Sequence, residues 1–310
     1  FLKGGEVWKM SLNGDKRKQM SQTDGKVEGF MFSPDHKKVI LLKSIDFNEV
    51  IQKNPEDLPH ATGRVVNDLM YRHWDHYVES IQHPFVAAVD GDKIASDMQD
   101  ILVGEPYECP MEPFGGMEQL AWSIDSKQIA YTCRKKSGID YAISTNSDIY
   151  LYDVCAGTHT NLTEGNLGYD TNPSYSPNGQ YIAWQSMERD GYESDENRLM
   201  VCNLSTGEQI FLSKGLNTSV DSYYWKDDKT LVFSAVWHAT AMLYEINLQG
   251  KRTCLTTGQY DYVPAANIGD TYYCLRHSMR EANEIYRFKK GEEPVQISHE
   301  NDNIYSQITM

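Results

Sequence analysis

The chain has 310 residues, of which 40% are hydrophobic and 24% charged, and its formal net charge at pH 7 is −15. This balance is typical of a folded globular chain, and the negative field argues against a nucleic-acid partner. No run of about 18 apolar residues occurs, so no membrane-spanning helix is predicted, and none of the six cysteines forms the C-x-x-C pair that indicates a zinc site.

A short pattern recurs along the chain: an aromatic or apolar pair, a turn rich in Ser, Pro, Asp, Asn or Gly, and an alternating strand. The turns are centred near Ser33, Ser123, Ser176, Lys226 and Gly269, and the last three intervals are 53, 50 and 43 residues. A second pattern follows the later turns. It consists of a strand, a Gly turn and another strand, and this last strand ends in an aliphatic residue followed by Thr or Ser. These ends are Leu162-Thr163, Leu212-Ser213, Leu255-Thr256 and Ile297-Ser298.

Four short antiparallel strands with tight turns need about 40–50 residues, the length of one propeller blade. The spacing therefore predicts an all-β fold, a β-propeller of four-stranded antiparallel blades. Five complete blades are expected to begin near residues 28, 118, 172, 221 and 263. We expect residues 1–23 to hold only the last two strands of one blade and residues 304–310 to begin another. The chain would then be a fragment of a ring of seven or eight blades.

One blade is interrupted. The distance from Ser33 to Ser123 is 90 residues, about twice the period, and the excess lies near residues 44–83. Within the excess, residues 64–71 suit either a helix or an extended segment, and Pro55 and Pro59 break what precedes them. We expect an insertion that rises from the edge of a blade, a place where propellers often carry function.

Three strings stand out beside the repeat, and the first two are more specific than it. Residues 71–77 read YRHWDHY, residues 187–199 read MERDGYESDENRL, and residues 236–240 read VWHAT. Together they resemble the propeller of bacterial dipeptidyl-peptidases and acylaminoacyl-peptidases of the prolyl oligopeptidase superfamily, over nearly the whole chain. Periplasmic TolB-type propellers share the blade repeat, but they do not explain the first two strings.

The resemblance implies a serine peptidase whose propeller lies over an α/β-hydrolase domain. That domain carries a Ser nucleophile on a G-x-S-x-G elbow, followed by Asp and His. The chain contains no G-x-S-x-G, so we expect the triad in a C-terminal domain that is absent here, and we assign no catalytic residue. The implied partners are a short peptide substrate and that hydrolase domain, with no cofactor and no metal. The implied location is the periplasm or the exterior of a bacterial cell.

The second string carries five acidic residues between positions 188 and 196, on a stretch expected to join the second and third strands of a blade. Such density suits the ammonium group of a peptide, or calcium, although the EF-hand order is absent. A solvated acidic turn is the third reading. For amine binding, we expect Arg189 or Arg198 to pair with one acid and leave Glu193 for the cation. Glu188, Arg189 and Glu193 are therefore candidate substrate-binding residues.

Histidines in the other two strings offer further candidates. His238 follows Trp237 between two predicted strands. As a fourth candidate substrate-binding residue it would line the central cavity or face the hydrolase domain, and the other reading is a hydrogen-bonded structural histidine. His73, Asp75 and His76 are close in sequence, which leaves metal binding and structural packing both open. On a strand, only His73 and Asp75 would share a face.

Three functions are compared. The first is a peptidase propeller that gates and orients short peptides, and the second is a TolB-like binding propeller without enzymatic activity. The third is a sugar-acting enzyme, which needs carboxylates on the innermost strands. Residues 30–33, 120–123 and 223–225 offer none. The strings favour the first function, with the TolB-like propeller as the alternative.

Overall fold

The computed structural model describes residues 1–47, 51–52, 58, 60–74 and 76–308. Nearly all of its regular structure consists of antiparallel strands, with two short helices and one 3-10 turn. The helices are Gly138–Ile143 (α1) and Asp302–Tyr305 (α2), and the 3-10 turn is Met117–Gln119. Among the described residues, neither helix has the length and apolar character needed to cross a membrane.

The first sheet has three strands in the order β1-β2-β3. They are Leu2–Lys3 (β1), Glu6–Lys9 (β2) and Lys18–Gln19 (β3). We expected two strands in this segment, and β1 is the additional one. The missed signal is Gly4-Gly5, because both residues have positive φ (62° and 78°), as the two-residue turn of a hairpin requires.

The second sheet has four strands, and the chain leaves it between its second and third strands. Its order is β11-β10-β5-β4. Residues 47–79 connect β5 to β10 (the long connection) and contain two small hairpins, β6 with β7 and β8 with β9. The strands are Val27–Phe32 (β4), Lys38–Asp46 (β5), Ile51–Gln52 (β6), Val65–Val66 (β7), Arg72–His73 (β8), His76–Tyr77 (β9), Ser80–Asp90 (β10) and Lys93–Asp100 (β11).

Four more sheets follow, each with four strands that neighbour one another in chain order. The third sheet contains Leu120–Trp122 (β12), Gln128–Cys133 (β13), Asp148–Asp153 (β14) and Thr158–Asn161 (β15). The fourth contains Asp170–Tyr175 (β16), Tyr181–Ser186 (β17), Arg198–Asn203 (β18) and Gln209–Phe211 (β19). The fifth contains Val220–Asp227 (β20), Thr230–Trp237 (β21), Thr240–Asn247 (β22) and Arg252–Cys254 (β23). The sixth contains Asp261–Ile268 (β24), Thr271–Ser278 (β25), Glu281–Lys289 (β26) and Val295–Gln296 (β27).

The predicted β-propeller fold is confirmed, with five four-stranded antiparallel sheets that begin within two residues of the predicted positions. The expectation of a new strand at residues 304–310 is wrong for its described part. Residues 302–305 form α2, because this segment satisfies its backbone groups locally. The amide of Tyr305 donates to the carbonyl of Asn301 (3.0 Å), and the amide of Ser306 donates to that of Asp302 (2.9 Å). Residues 309–310 lie outside the described residues.

A serine explains three of the five turns of the first repeat. Ser33 lies in the turn between β4 and β5, where its hydroxyl donates to the carboxylate of Asp35 (2.7 Å) and accepts from the amide of Lys38 (3.0 Å). Because the hydroxyl and the carboxylate satisfy the turn locally, the motif specifies a hairpin wherever it occurs. The same pair of bonds recurs at Ser123 with Asp125 and Gln128, and at Ser176 with Asn178 and Tyr181.

A hydroxyl clamp explains the second repeat. In the third sheet, the amide of Leu162 donates to the carbonyl of Ile149 (2.8 Å), while the amide of Ile149 donates to the hydroxyl of Thr163 (3.0 Å). A residue just after the outer strand thus supplies a side-chain oxygen that accepts from a backbone amide of the third strand, in place of a backbone carbonyl. The clamp recurs in four other sheets, where the hydroxyls of Ser21, Ser213, Thr256 and Ser298 accept from the amides of Val7, Leu199, Leu243 and Ile285 in turn.

The chain divides into two compact units, Phe1–Pro173 with Glu188–Glu193, and Ser174–Met187 with Ser194–Met310. In each unit the core fills the space between neighbouring sheets. In the first unit, one cluster joins the first two sheets and contains Val7 and Leu41, and another joins the second and third and contains Ile40 and Ile129. The second unit has corresponding clusters between its sheets. Within each unit, this packing buries one face of a sheet against its neighbour.

A buried carboxylate ties the fifth and sixth sheets together. Glu245 on β22 is 8% exposed and accepts hydrogen bonds from Lys226 (2.5 Å), Lys290 (2.6 Å) and the hydroxyl of Tyr272. Burial raises the pKa of Glu245, but the hydrogen bonds from Lys226, Lys290 and Tyr272 outweigh it and lower the pKa to about 2.

Candidate functional site

The acidic residues of the second string lie on the connection between β17 and β18. Residues 188–193 of this connection (the acidic loop) belong to the first unit. Glu188 and Glu193 are exposed. Within the described part of the chain, the carboxylate of Glu193 has no hydrogen-bond or ion-pair partner. It therefore offers an accessible negative charge.

The acidic loop is fixed to the segment that follows α1. The carboxylate of Asp190 accepts from the hydroxyl of Ser144 (2.7 Å) and the amide of Thr145 (2.8 Å), and the amide of Gly191 donates to the hydroxyl of Thr145 (3.0 Å). Partial burial raises the pKa of Asp190, but the hydrogen bonds from Ser144 and Thr145 outweigh it and hold this pKa below its usual range. Asp190 is thus a structural anchor.

One arginine, Arg189, lies within the acidic run and another, Arg198, follows it. The guanidinium of Arg189 lies over the ring of Tyr192, at 4.2 Å from its centroid. Arg198 begins β18 and donates to the carbonyl (3.3 Å) and the hydroxyl (3.2 Å) of Ser186 across the strand pair. The pairing of either arginine with an acid of the loop stays a prediction, as does the role of Glu193.

His238 lies in the second unit, in the two-residue turn between β21 and β22. Trp237 pairs with Thr240, and both turn residues have positive φ, 49° at His238 and 64° at Ala239. The exposed ring of His238 stacks on Trp237 with centroids 4.5 Å apart. Such a turn usually takes Asn or Gly, so two residues with side chains are strained here.

The turn lines one side of a cavity of about 940 Å³ in the second unit. The other sides come from the connection between β23 and β24, the turn between β25 and β26, and the segment around α2. Tyr260, Asp261, Met279 and Tyr305 are among the lining residues. His238 is therefore a cavity-lining residue, and its part in substrate binding stays a prediction.

The first string places His73 in a buried cluster that the sequence did not predict. His73 Nε2 lies 3.2 Å from a carboxylate oxygen of Glu108, and the hydroxyl of Tyr141 donates to the other oxygen. The side chains of His73 and Glu108 are 9% and 5% exposed. The guanidinium of Arg134 lies 3.8 Å from the centroid of the Tyr141 ring. The hydrogen bond to the carboxylate of Glu108 raises the pKa of His73, which favours the imidazolium form.

These contacts support the structural reading of His73. No sequence signal singled out Glu108, because Glu105 and Glu112 lie three and four residues away and no pattern marks one of these three acids as buried. Asp75 lies outside the described residues, so metal binding by His73 with Asp75 stays untested. Over the residues that the structure describes, no group of three His, Cys, Asp or Glu side chains could hold a metal ion.

A cavity of about 240 Å³ opens beside this cluster (the connection pocket). Its walls come from the long connection, β10, the segment before the 3-10 turn, and α1 with the residues before it. The lining residues are Phe47, Asp68, Leu69, Met70, His73, Val78, Ile81, Pro106, Glu108, Lys136, Ser137, Gly138 and Tyr141. Because Ser144 and Thr145 follow α1 directly, this helix connects the pocket to the acidic loop.

Comparison with known proteins identifies the relatives of this chain. No family model matches it. The chain is 44% identical to dipeptidyl-peptidase 5 of Porphyromonas gingivalis over 289 residues, which are 92% of the chain and 42% of that protein. It is 42% identical to dipeptidyl-peptidase 5 of Porphyromonas endodontalis, over 98% of the chain and 45% of that protein. The chain is a β-propeller related to dipeptidyl-peptidase 5.

Solved structures agree on the fold. Acylaminoacyl peptidase of Pyrococcus horikoshii matches 98% of the chain with a TM-score of 0.70 at 13% identity, and the match covers 43% of that enzyme. A TolB from Agrobacterium tumefaciens matches 91% of the chain with a TM-score of 0.55 at 15% identity, and covers 83% of that protein. The chain spans less than half the length of the dipeptidyl-peptidase 5 relatives.

Proposed function

We propose that this chain is the propeller of an exported serine exopeptidase and that it gates and orients short peptides for an α/β-hydrolase domain. The observation that carries the proposal is the 44% identity to dipeptidyl-peptidase 5 over 92% of the chain. The chain itself contains no G-x-S-x-G, so in this proposal the nucleophile belongs to the hydrolase domain. The TolB-like binding propeller is the second candidate, supported by the fold match to TolB.

In this proposal the acidic loop receives the amino end of the peptide. The exposed carboxylates of Glu188 and Glu193 provide charge for a charge-assisted hydrogen bond with an ammonium group. The anchoring of Asp190 to Ser144 and Thr145 supports the proposal, because a held loop loses less conformational entropy when it binds a ligand. Arg189 contributes by holding the ring of Tyr192 beside these acids.

Two measurements test the peptidase role. The gene that encodes this chain is sequenced beyond codon 310, where we expect a G-x-S-x-G within the next few hundred residues. The purified 310-residue chain is then incubated with chromogenic dipeptide substrates and a serine-reactive phosphonate, and we expect neither turnover nor labelling. A gene that ends soon after the propeller would favour the TolB-like function.

The amine-binding role is tested by Glu193→Gln in the parent enzyme. Loss of one ion pair costs about 1–3 kcal/mol, so kcat/KM for free-amine dipeptide substrates should fall roughly tenfold to a hundredfold. N-acylated substrates carry no ammonium and should respond much less. Glu164→Gln, at an exposed position of the same unit, is the matched control. Equal responses of both substrate classes, or no response, would show that the loop is a solvated turn.

A further inference from the structure

The connection pocket has a polar end whose hydrogen-bonding groups already bind one another. Both carboxylate oxygens of Glu108 have partners, one in Tyr141 and one in His73. A buried carboxylate that is satisfied in this way has little to gain from a further cation, since a new partner must displace an existing one. The buried end of the pocket is therefore closed to an ammonium group.

The remaining walls are mainly apolar. Val78 and Ile81 are 4% and 5% exposed, and Leu69, Met70 and Phe47 complete the apolar lining. Asp68 is exposed at its rim, where its carboxylate accepts from the amide of Leu69 (2.7 Å). A pocket with polar groups at the rim and apolar walls favours a ligand that buries hydrocarbon.

Backbone geometry shapes the pocket at two positions. Met70 has a φ of 67°, a conformation that is unfavourable for a residue with a side chain. Gly138 has a φ of 58°, and a Cβ atom there would lie 2.7 Å from the carboxylate of Asp68. Local strain of this kind persists only where the surrounding structure imposes it, and it is concentrated at binding sites.

The volume suits one side chain. An apolar cavity of about 150 Å³ accepts benzene, whereas drug-sized ligands need about 300–1,000 Å³. At about 240 Å³ the connection pocket lies between these limits. We infer that it takes one large apolar side chain, of the size of Leu, Met or Phe, from a peptide ligand. The inference rests on the proposed function, because it takes the ligand to be a peptide.

The path from the pocket to the acidic loop indicates which part of the peptide is bound. Tyr141 of α1 lines the pocket and Ser144, three residues later, holds the acidic loop, and a helix rises about 1.5 Å per residue, so this path is about 5 Å long along the helix. An extended peptide rises about 3.3 Å per residue. The apolar side chain then belongs to one of the first residues of a peptide whose ammonium lies at the acidic loop.

The test measures direct binding and does not depend on hydrolysis. The 310-residue chain is titrated calorimetrically with Gly-Leu-Gly, Gly-Phe-Gly, Gly-Lys-Gly and Gly-Gly-Gly. Burial of a side chain of this size should make the Leu and Phe peptides bind tenfold to a hundredfold more tightly than Gly-Gly-Gly. Equal affinities, or tightest binding of Gly-Lys-Gly, would overturn the inference. Selective binding by a chain whose parent has no peptidase activity would instead overturn only the proposed function.

Two variants locate the binding in the pocket. Val78→Phe fills the cavity and should abolish the preference for Leu and Phe. Met70→Ala enlarges the cavity and should raise the affinity for Gly-Trp-Gly relative to Gly-Leu-Gly at least threefold, and it decides the question if Val78→Phe does not fold. Met10→Ala, at an exposed position directly after β2, should leave every affinity unchanged. An unaltered preference in a folded pocket variant would place the binding elsewhere.

Discussion

The ion cluster around Glu245 makes a quantitative prediction for Glu245→Gln. The pKa of about 2 for this carboxyl lies well below its ordinary value of 4.5, and at about 1.4 kcal/mol per pH unit this difference corresponds to about 3.5 kcal/mol. Gln retains the shape and removes the charge. Lys290 is half exposed and can return to water, whereas Lys226 is 18% exposed and loses its partner. We therefore expect a loss of about 2–3 kcal/mol at pH 7.

The lowered pKa of Glu245 also predicts how the stability lost in Glu245→Gln depends on pH. A carboxyl whose pKa is lowered by folding contributes stability above its unfolded pKa, and the contribution is lost as the pH falls toward the folded pKa. The difference between the original chain and Glu245→Gln should be complete above about pH 5 and should vanish as the pH falls from about 4.5 to about 2. The assay is urea unfolding followed by tryptophan fluorescence at pH 7, 5, 4 and 3.

Glu292→Gln, at an exposed position just after β26, is the control and should change the free energy of unfolding by less than about 0.5 kcal/mol. A Glu245→Gln variant as stable as the original chain at pH 7 would refute the reasoning. A difference of the same size at pH 7 and pH 3 would also refute it, because the charge would then not be the cause.

Three further predictions concern single groups. Thr163→Val removes the acceptor for the amide of Ile149 and should lower the free energy of unfolding by about 1–3 kcal/mol in urea titrations. His73→Gln should cost more stability at pH 5.5 than at pH 8.5, because the raised pKa of His73 contributes stability below about pH 6.5 that is lost as the pH rises through the folded value. Ala239→Gly should raise the melting temperature, since it relieves roughly 1–2 kcal/mol of strain, less the greater backbone freedom of glycine when unfolded.

Each of these variants has a control or a contrary outcome. Thr160→Val changes an exposed threonine on the same outer strand and should be nearly neutral, so equal losses at both threonines would remove the clamp as the cause. For His73→Gln, a loss that does not vary with pH would show that Glu108 does not hold an imidazolium. A lower melting temperature for Ala239→Gly would mean that the Cβ atom contributes contacts worth more than the strain.

The sequence predicted the parts of the fold whose causes are local. The turns at Ser33, Ser123 and Ser176 could be located because each is specified within about six residues by a hydroxyl, a carboxylate or amide, and a backbone amide. The helix at residues 302–305 was not predicted, because the local pattern there is ambiguous. Its apolar residues Ile304 and Ile308 do not distinguish a strand from a helix over so short a stretch.

The candidate site was only partly predictable. The acidic loop could be located because its three acidic residues lie within six residues of sequence. The cluster of His73, Glu108 and Tyr141 was not, because its members are 35 and 33 residues apart and belong to no repeat. They are close because the long connection, the segment before the 3-10 turn and α1 pack together in the first unit. No local sequence pattern predicts this packing.

The hydroxyl clamps also bear on how the chain avoids aggregation. An outer strand presents unpaired backbone groups to other chains, and a long flat edge acts as a template for association. In the five sheets with a clamp, the outer strands have only two to four residues (β3, β15, β19, β23 and β27). In each clamp a side-chain oxygen accepts a hydrogen bond from a backbone amide of the neighbouring strand. Without it, that amide would need a longer outer strand to supply its partner. Replacing the clamp hydroxyls of several sheets at once should therefore favour edge-to-edge association in addition to lowering stability.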